Sequence, residues 1–197
     1  MQRRGRGDAG GVDEVERCAR AVRASNGRSG GAGRVVAWGP AGSSGGAGLA
    51  KLGYKVVVLE KARQPRVHSG ESLLPANLPL FEKLGVADAV KAIGMEKWGA
   101  EFVSPWHDSK SQTFRFSDAW DKSMPFSYQV RRSELDEILI RNAARLGAEV
   151  IEGCRVKDVA FAPDHSGATV QAQHDDGRTE DWRARFVVDA SGRDTVL

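Results

Sequence analysis

The chain has 197 residues, 41% hydrophobic and 28% charged, a globular balance that excludes collagen-like, disulfide-stapled and wholly disordered chains. Its net charge of +3 is uneven: residues 1–34 hold eight Arg and four acids, while the other 163 carry 21 bases against 22 acids, which excludes a nucleic-acid footprint on the body. No apolar run approaches the about 20 residues of a membrane span, no apolar stretch follows the N-terminal arginines as in a secretory signal, and two cysteines and four histidines form neither a disulfide framework nor a metal-ligand spacing, so a cytoplasmic location is the default.

Residues 1–33, rich in Gly, Arg and Ser, read as a disordered basic tail with room for a short helix around Val12–Ala24. They contain no aromatic residue on which a base could stack. The fold is expected over residues 34–197. Val35-Val36-Ala37 reads as a short buried strand, and Gly39-Pro40-Ala41-Gly42 as a turn. Ser43 to Leu52 reads as a helix closed by Gly53, and Lys55 to Glu60 as a second buried strand. Strand, glycine turn, helix and strand make a βαβ unit, whose parallel strands need cover on both faces.

Further along, Leu78 to Leu84 is a short amphipathic helix ended by Gly85. Phe102–Trp106, Thr113–Phe116 and Phe126–Val130 alternate as half-buried antiparallel strands do. Ser133 is a natural N-cap for a helix whose apolar stripe is Leu135, Ile138, Leu139, Ile140, Ala143 and Leu146. Ala148–Glu152 and Val156–Phe161 follow as strands, then Val170–Gln173 and Ala184–Val188 on either side of the turn Asp175-Asp176-Gly177.

The βαβ unit carries the first functional signal. A glycine turn between strand and helix lets backbone N–H groups and the helix N-terminus face a pyrophosphate. An acid at the end of the second strand then accepts ribose hydroxyls. Glu60 stands there, 18 residues beyond Gly42. The three fingerprint glycines fall on Ala37, Gly39 and Gly42, with Trp38 at a variable position. Gly45, Gly46 and Gly48 in the following helix cost about 1 kcal/mol each relative to alanine.

The segments VVAWGPAGSS, KVVVLEKARQPRVHSGESLLPANLPLFEKLGV, KWGAEF, YQVRRSELDEILIRNAARLGAEVIEG and RFVVDASGRDT together resemble flavin-dependent halogenases. They also resemble related FAD-dependent monooxygenases and geranylgeranyl-reductase-like oxidoreductases. The resemblance runs from about Val35 to Leu197 and covers only the N-terminal, FAD-binding part of such enzymes, before their substrate domain and later flavin motifs. It implies an α/β, Rossmann-like, three-layer fold with a parallel sheet plus antiparallel strands, incomplete in this chain. It implies FAD, with Gly39, Pro40, Ala41 and Gly42 at the pyrophosphate and Glu60, with Lys61 beside it, at the adenosine ribose. The resemblance further implies that Arg132, or else Arg131, contacts the cofactor, that Val156 approaches adenine through its backbone, and that Asp189 lies on a strand returning toward the pyrophosphate. On the same resemblance Gly70-Glu71-Ser72 would form a loop near the flavin, to which Ser72 can offer a hydroxyl.

Lys97, in KWGAEF, matches the lysine that positions or activates hypohalous acid in halogenases; the other reading is a solvated lysine beside Glu96. The partners implied are a small-molecule substrate and a flavin reductase supplying reduced flavin, with no nucleic acid and no membrane span. The activity implied is oxidation of halide or a small organic substrate by reduced flavin and oxygen. Two alternatives stand beside it: a hydroxylase or prenyl reductase without halide, and a non-catalytic fragment.

Overall fold

A computed structural model describes residues 34–37, 39–67 and 69–192; the tail, Trp38 and His68 lie outside them. The chain divides into two compact units. One joins the segment up to Arg66 with the segment from Asp136 onward, and the other is Val67–Leu135.

The first unit is built on a four-stranded parallel sheet. Its strands are β1 (Arg34–Ala37), β2 (Lys55–Glu60), β7 (Glu149–Glu152) and β11 (Phe186–Val187), in the order β11-β1-β2-β7. Helix α1 (Gly39–Lys51) connects β1 to β2. The segment expected as a turn, Gly39 to Gly42, is instead the first turn of this helix. Pro40 suits that place because a first-turn N–H has no intrahelical partner to lose. The helix ends as expected at Gly53, whose φ of +86° only glycine adopts freely, with Gly53 N–H donating to Ala50 O at 2.8 Å.

β2 is buried from Val56 to Glu60, because it is covered on both faces. Toward α1, a Cβ on Gly46 would stand 2.8 Å from Val58 Cγ2; this glycine is what lets the helix lie close on the sheet. On the other face, Val57 and Leu59 join a core with Cys154, Val170, Ala172, Trp182 and Ala184. These come from an antiparallel sheet of β8 (Cys154–Phe161), β9 (Ala168–His174) and β10 (Thr179–Ala184), in the order β10-β9-β8. Helix, parallel sheet and antiparallel sheet are the three layers expected. One strand assignment changes: the partner of β9 across the Asp175–Gly177 turn is Thr179–Ala184, while Phe186–Val187 joins β1 in the parallel sheet.

The second unit holds a 3-10 turn (Pro75–Asn77), α2 (Leu78–Leu84), α3 (Ala87–Ile93), β3 (Met95–Lys97), β4 (Gly99–Ser104), β5 (Lys110–Arg115) and β6 (Ser127–Gln129). α2 stops at Gly85, in the left-handed region with φ 72°. β3 pairs antiparallel with β6, and β4 with β5. The β4–β5 hairpin turns through a five-residue loop, 105–109, whose last two residues, Asp108 and Ser109, both have positive φ. It is not half-buried as its alternation suggests: every residue of β5 is exposed.

Helix α4 (Arg132–Arg145) runs from the second unit into the first. It starts two residues earlier than its Ser133 suggests. Leu135 N–H donates to Arg131 O at 3.0 Å, so Arg131 takes the cap position and Ser133 lies inside the first turn.

Candidate functional site

In the first unit the carboxyl ends of the parallel strands gather the residues of the dinucleotide fingerprint. Ala37 pairs with Val58, so Glu60 stands two residues beyond, at the end of the sheet from which α1 departs. Glu60 is 3% exposed. Its Oε1 accepts the Ala62 N–H at 3.0 Å, and Arg66 Nη1 lies 4.0 Å from the same oxygen. A buried carboxylate is costly unless it is paired and hydrogen-bonded, and both contacts come from the loop directly after β2. No acid occupies the first turn of α1, which leaves its positive end open to an anion. Gly42 is buried, Pro40 half-buried and Ala41 exposed.

The other expected residues of this unit fall as follows. Lys61 is exposed. Val156 lies on β8, where the pairing with β9 slips between Val156 and Asp158. Asp189 follows β11, and its Oδ1 accepts the Ser191 N–H at 2.9 Å and the Ser191 hydroxyl at 2.5 Å. Arg66 escaped the sequence reading because it lies in a loop without periodicity; a basic residue six positions after Glu60 was the available signal.

Also in this unit, Cys154 lies buried with its Sγ 3.9 Å from His174 Nε2, a nitrogen that is 3.0 Å from Glu180 Oε2. Burial first, then the negative charges of Glu180 and Asp175, push the Cys154 thiol above its ordinary value, against the opposing pull of Arg178. Among the described residues, no group of His, Cys, Asp and Glu could hold a metal ion, and no helix is long and apolar enough to cross a membrane.

The second unit brings together two residues that the sequence left apart. Lys97 Nζ donates a hydrogen bond to Ser72 Oγ and stands 5.3 Å from the centre of the Phe116 ring. Arg132 is spent on the loop before Ser72, donating from Nη1 to Ser69 O at 3.2 Å and Gly70 O at 3.5 Å. Arg131 points elsewhere and pairs with Glu134 at 3.2 Å on the helix surface. An open cleft in this unit, about 510 Å³, is lined by Trp98, Glu101, Thr113 and Arg115 among others.

Comparison with known proteins gives the site its context. A flavin-dependent halogenase of Armillaria mellea, armH3, is 37% identical over 166 residues, covering 83% of this chain and 32% of the relative. The myxobacterial chondrochloren halogenase CndH superposes with a TM-score of 0.72 at 34% identity, over 83% of this chain and 38% of that one. A flavoprotein/dehydrogenase from Cytophaga hutchinsonii superposes with a TM-score of 0.71 at 35% identity, over 81% of this chain and 39% of that one. The chain thus spans about a third of the length of the curated relatives it matches. The FAD binding domain family model matches residues 34–197, a span that takes in all the described residues. With that match, and with a buried acid at the end of the second parallel strand, the chain belongs to the FAD binding domain family.

Proposed function

We propose that the chain is the cofactor-holding portion of a flavin-dependent oxidoreductase of the halogenase-like kind. Its reaction is the oxidation of halide or a small organic substrate, with reduced flavin delivered by a separate flavin reductase. The observation that carries the reading is Glu60, a nearly inaccessible carboxylate at the carboxyl end of β2 beside the start of α1.

The residues present fit FAD. Gly46 brings α1 close to the sheet, as a dinucleotide fold requires. Arg66 Nε is buried without a hydrogen-bond partner among the described residues, so a donor is left over beside the proposed ribose acid. Gly39 to Gly42 offer first-turn N–H groups, Pro40 excepted, to a pyrophosphate. Glu60 would accept the ribose hydroxyls, and Asp189 would support the returning loop. When bound and reduced, FAD supplies the electrons for activating oxygen. The protein's own part is to orient the cofactor, exclude water and present Lys97, whose ammonium donates a hydrogen bond to the oxygen of hypohalous acid.

A second reading, a hydroxylase or reductase without halide, is favoured by the likeness to the flavoprotein/dehydrogenase. The first test is FAD retention on gel filtration of residues 1–197. Retained flavin is expected, and Glu60→Gln should weaken it about ten- to a hundredfold, the worth of one or two hydrogen bonds to a charged group. No retained flavin at micromolar protein sinks the proposal. The retained complex, given a reductase, bromide and a simple phenol, then separates the readings. Brominated product supports the first and hydroxylated product the second. Retained flavin with neither product points to a non-catalytic fragment.

A further inference from the structure

We propose that Ser72 is the positioning residue of Lys97, and that Ser127 is the small floor over which the lysine reaches it. The inference rests on the reading of Lys97 as the reactive lysine, and all its residues lie within the Val67–Leu135 unit.

The pairing of three segments sets the geometry. On one edge of β6, Met95 pairs with Gln129 and Lys97 with Ser127. On its other edge Ser72 pairs with Gln129, fixed by Leu73 N–H to Tyr128 O at 3.0 Å and Val130 N–H to Glu71 O at 2.9 Å. Opposed residues of an antiparallel pair share one face, so Ser72, Gln129, Ser127 and Lys97 all project from the same side. Lys97 and Ser72 flank β6 on opposite edges, yet Lys97 Nζ reaches Ser72 Oγ. The lysine stem therefore crosses β6.

Directly opposite Lys97, Ser127 is 0% exposed, and its hydroxyl has no hydrogen-bond partner among the described residues. A larger residue there would lift the stem off the strand. The Phe116 ring, held by Phe116 N–H to Trp98 O at 3.0 Å, limits the ammonium from another direction.

The arrangement does more than restrain a flexible side chain. As acceptor from the ammonium, the Ser72 hydroxyl keeps its own hydrogen free to donate. Two donors, one cationic and one neutral, then converge on one small volume. The oxygen of a hypohalous acid can accept both. The resemblance places Ser72 near the flavin; the structure gives it Lys97 as partner.

The test is competitive acetylation of the full 197-residue chain without FAD, read by mass spectrometry at Lys97, with exposed Lys110 and Lys122 as internal references. Acylation needs the amine released from its hydrogen-bond partner, so a lysine held on Ser72 reacts more slowly than a free one. Ser72→Ala should raise labelling at Lys97 about threefold or more, a discounted value for one exposed hydrogen bond to a charged group, and leave the references unchanged. Ser72→Thr, which restores the hydroxyl, should return it to within about twofold of the parent. Ser127→Val should raise it as Ser72→Ala does.

An unchanged Lys97 rate in Ser72→Ala, an equal rise at all three lysines, or no recovery in Ser72→Thr overturns the proposal. FAD retention is read on unlabelled portions of the same preparations. A chain that keeps FAD but labels Lys97 unchanged loses only this inference, and one that labels as expected but keeps no FAD loses only the proposed function.

Discussion

The two units use similar strand chemistry in opposite ways. In the first, β2 is packed against a helix on one face and a second sheet on the other, and no residue from Val56 to Glu60 is exposed. In the second, the β4–β5 hairpin carries Phe102, Val103 and Phe114 into solvent, with Trp106 at its turn 89% exposed. A continuous apolar run in β2 and an alternating pattern in the hairpin have thus both produced strands, with burial in only the first. Pattern specifies which way a side chain points; burial requires another layer to meet it. The hairpin is held by its own ladder, by its turn and by the edge-on contact of Phe102 with Phe114 at 5.7 Å.

The sharpest way to break this contrast is to remove one tryptophan from each unit. Trp182→Ala should cost about 3–5 kcal/mol in denaturant unfolding, because the indole fills the core between the two sheets. Trp106→Ala should stay within about 0.5 kcal/mol. Equal losses would show that the hairpin is buried in solution and that the contrast is false. Next in size is the pair Gly46→Val and Gly45→Ala. The first drives a side chain into Val58 and should cost about 1–3 kcal/mol. The second meets nothing within 4 Å and should stabilise by up to about 1 kcal/mol. A stabilising Gly46→Val, seen as a raised urea midpoint, would refute close helix–sheet packing.

Smaller again is Arg63→Ala, which removes the exposed 2.9 Å pair with Asp175. It should cost less than about 1 kcal/mol, and the cost should vanish in about 1 M salt.

The smallest effect concerns pH. The folded state holds the Cys154 thiol above the ordinary 9.0. An unfolded chain therefore gives up that proton first as pH rises. The contribution to stability is intact below 9.0 and is lost as pH climbs through the folded value. Cys154→Ala should flatten the fall in the urea midpoint above about pH 9; an unaltered slope would assign the fall to other groups.

Much of the first unit was legible because its signals are local and mutually consistent. KVVVLE has the composition of a strand buried on both faces, Gly53 ends the preceding helix, and Glu60 marks the carboxyl end of the strand. The error at Gly39 to Gly42 arose because glycine and proline favour both turns and first helical turns, and only the backbone beyond decides. The helix glycines looked like a defect, because propensity alone cannot register that Val58 needs the space at Gly46.

In the second unit, β3 at Met95–Lys97 was invisible, being three residues without alternation, and with it the placement of Lys97 opposite Ser127. The Lys97–Ser72 bond joins residues 25 apart in sequence, a distance at which no periodicity speaks. The cap of α4 was misread because Ser133 is the better capping residue by type, whereas the chain enters the helix already at Arg131.

Gly153 has a consequence for how this architecture can vary. It is the single residue between β7 and β8, with φ +68°, and a side chain there would collide with Asp175 and stand 2.9 Å from Arg63 Nη2. The chain therefore passes from the parallel to the antiparallel sheet with no slack. Insertions can be absorbed at the tip of the β4–β5 hairpin, but an added residue at Gly153 would slide β8 out of register with β9. The two sheets should consequently open as one unit in amide exchange, and this junction should be among the least tolerant points in the chain for insertional mutagenesis.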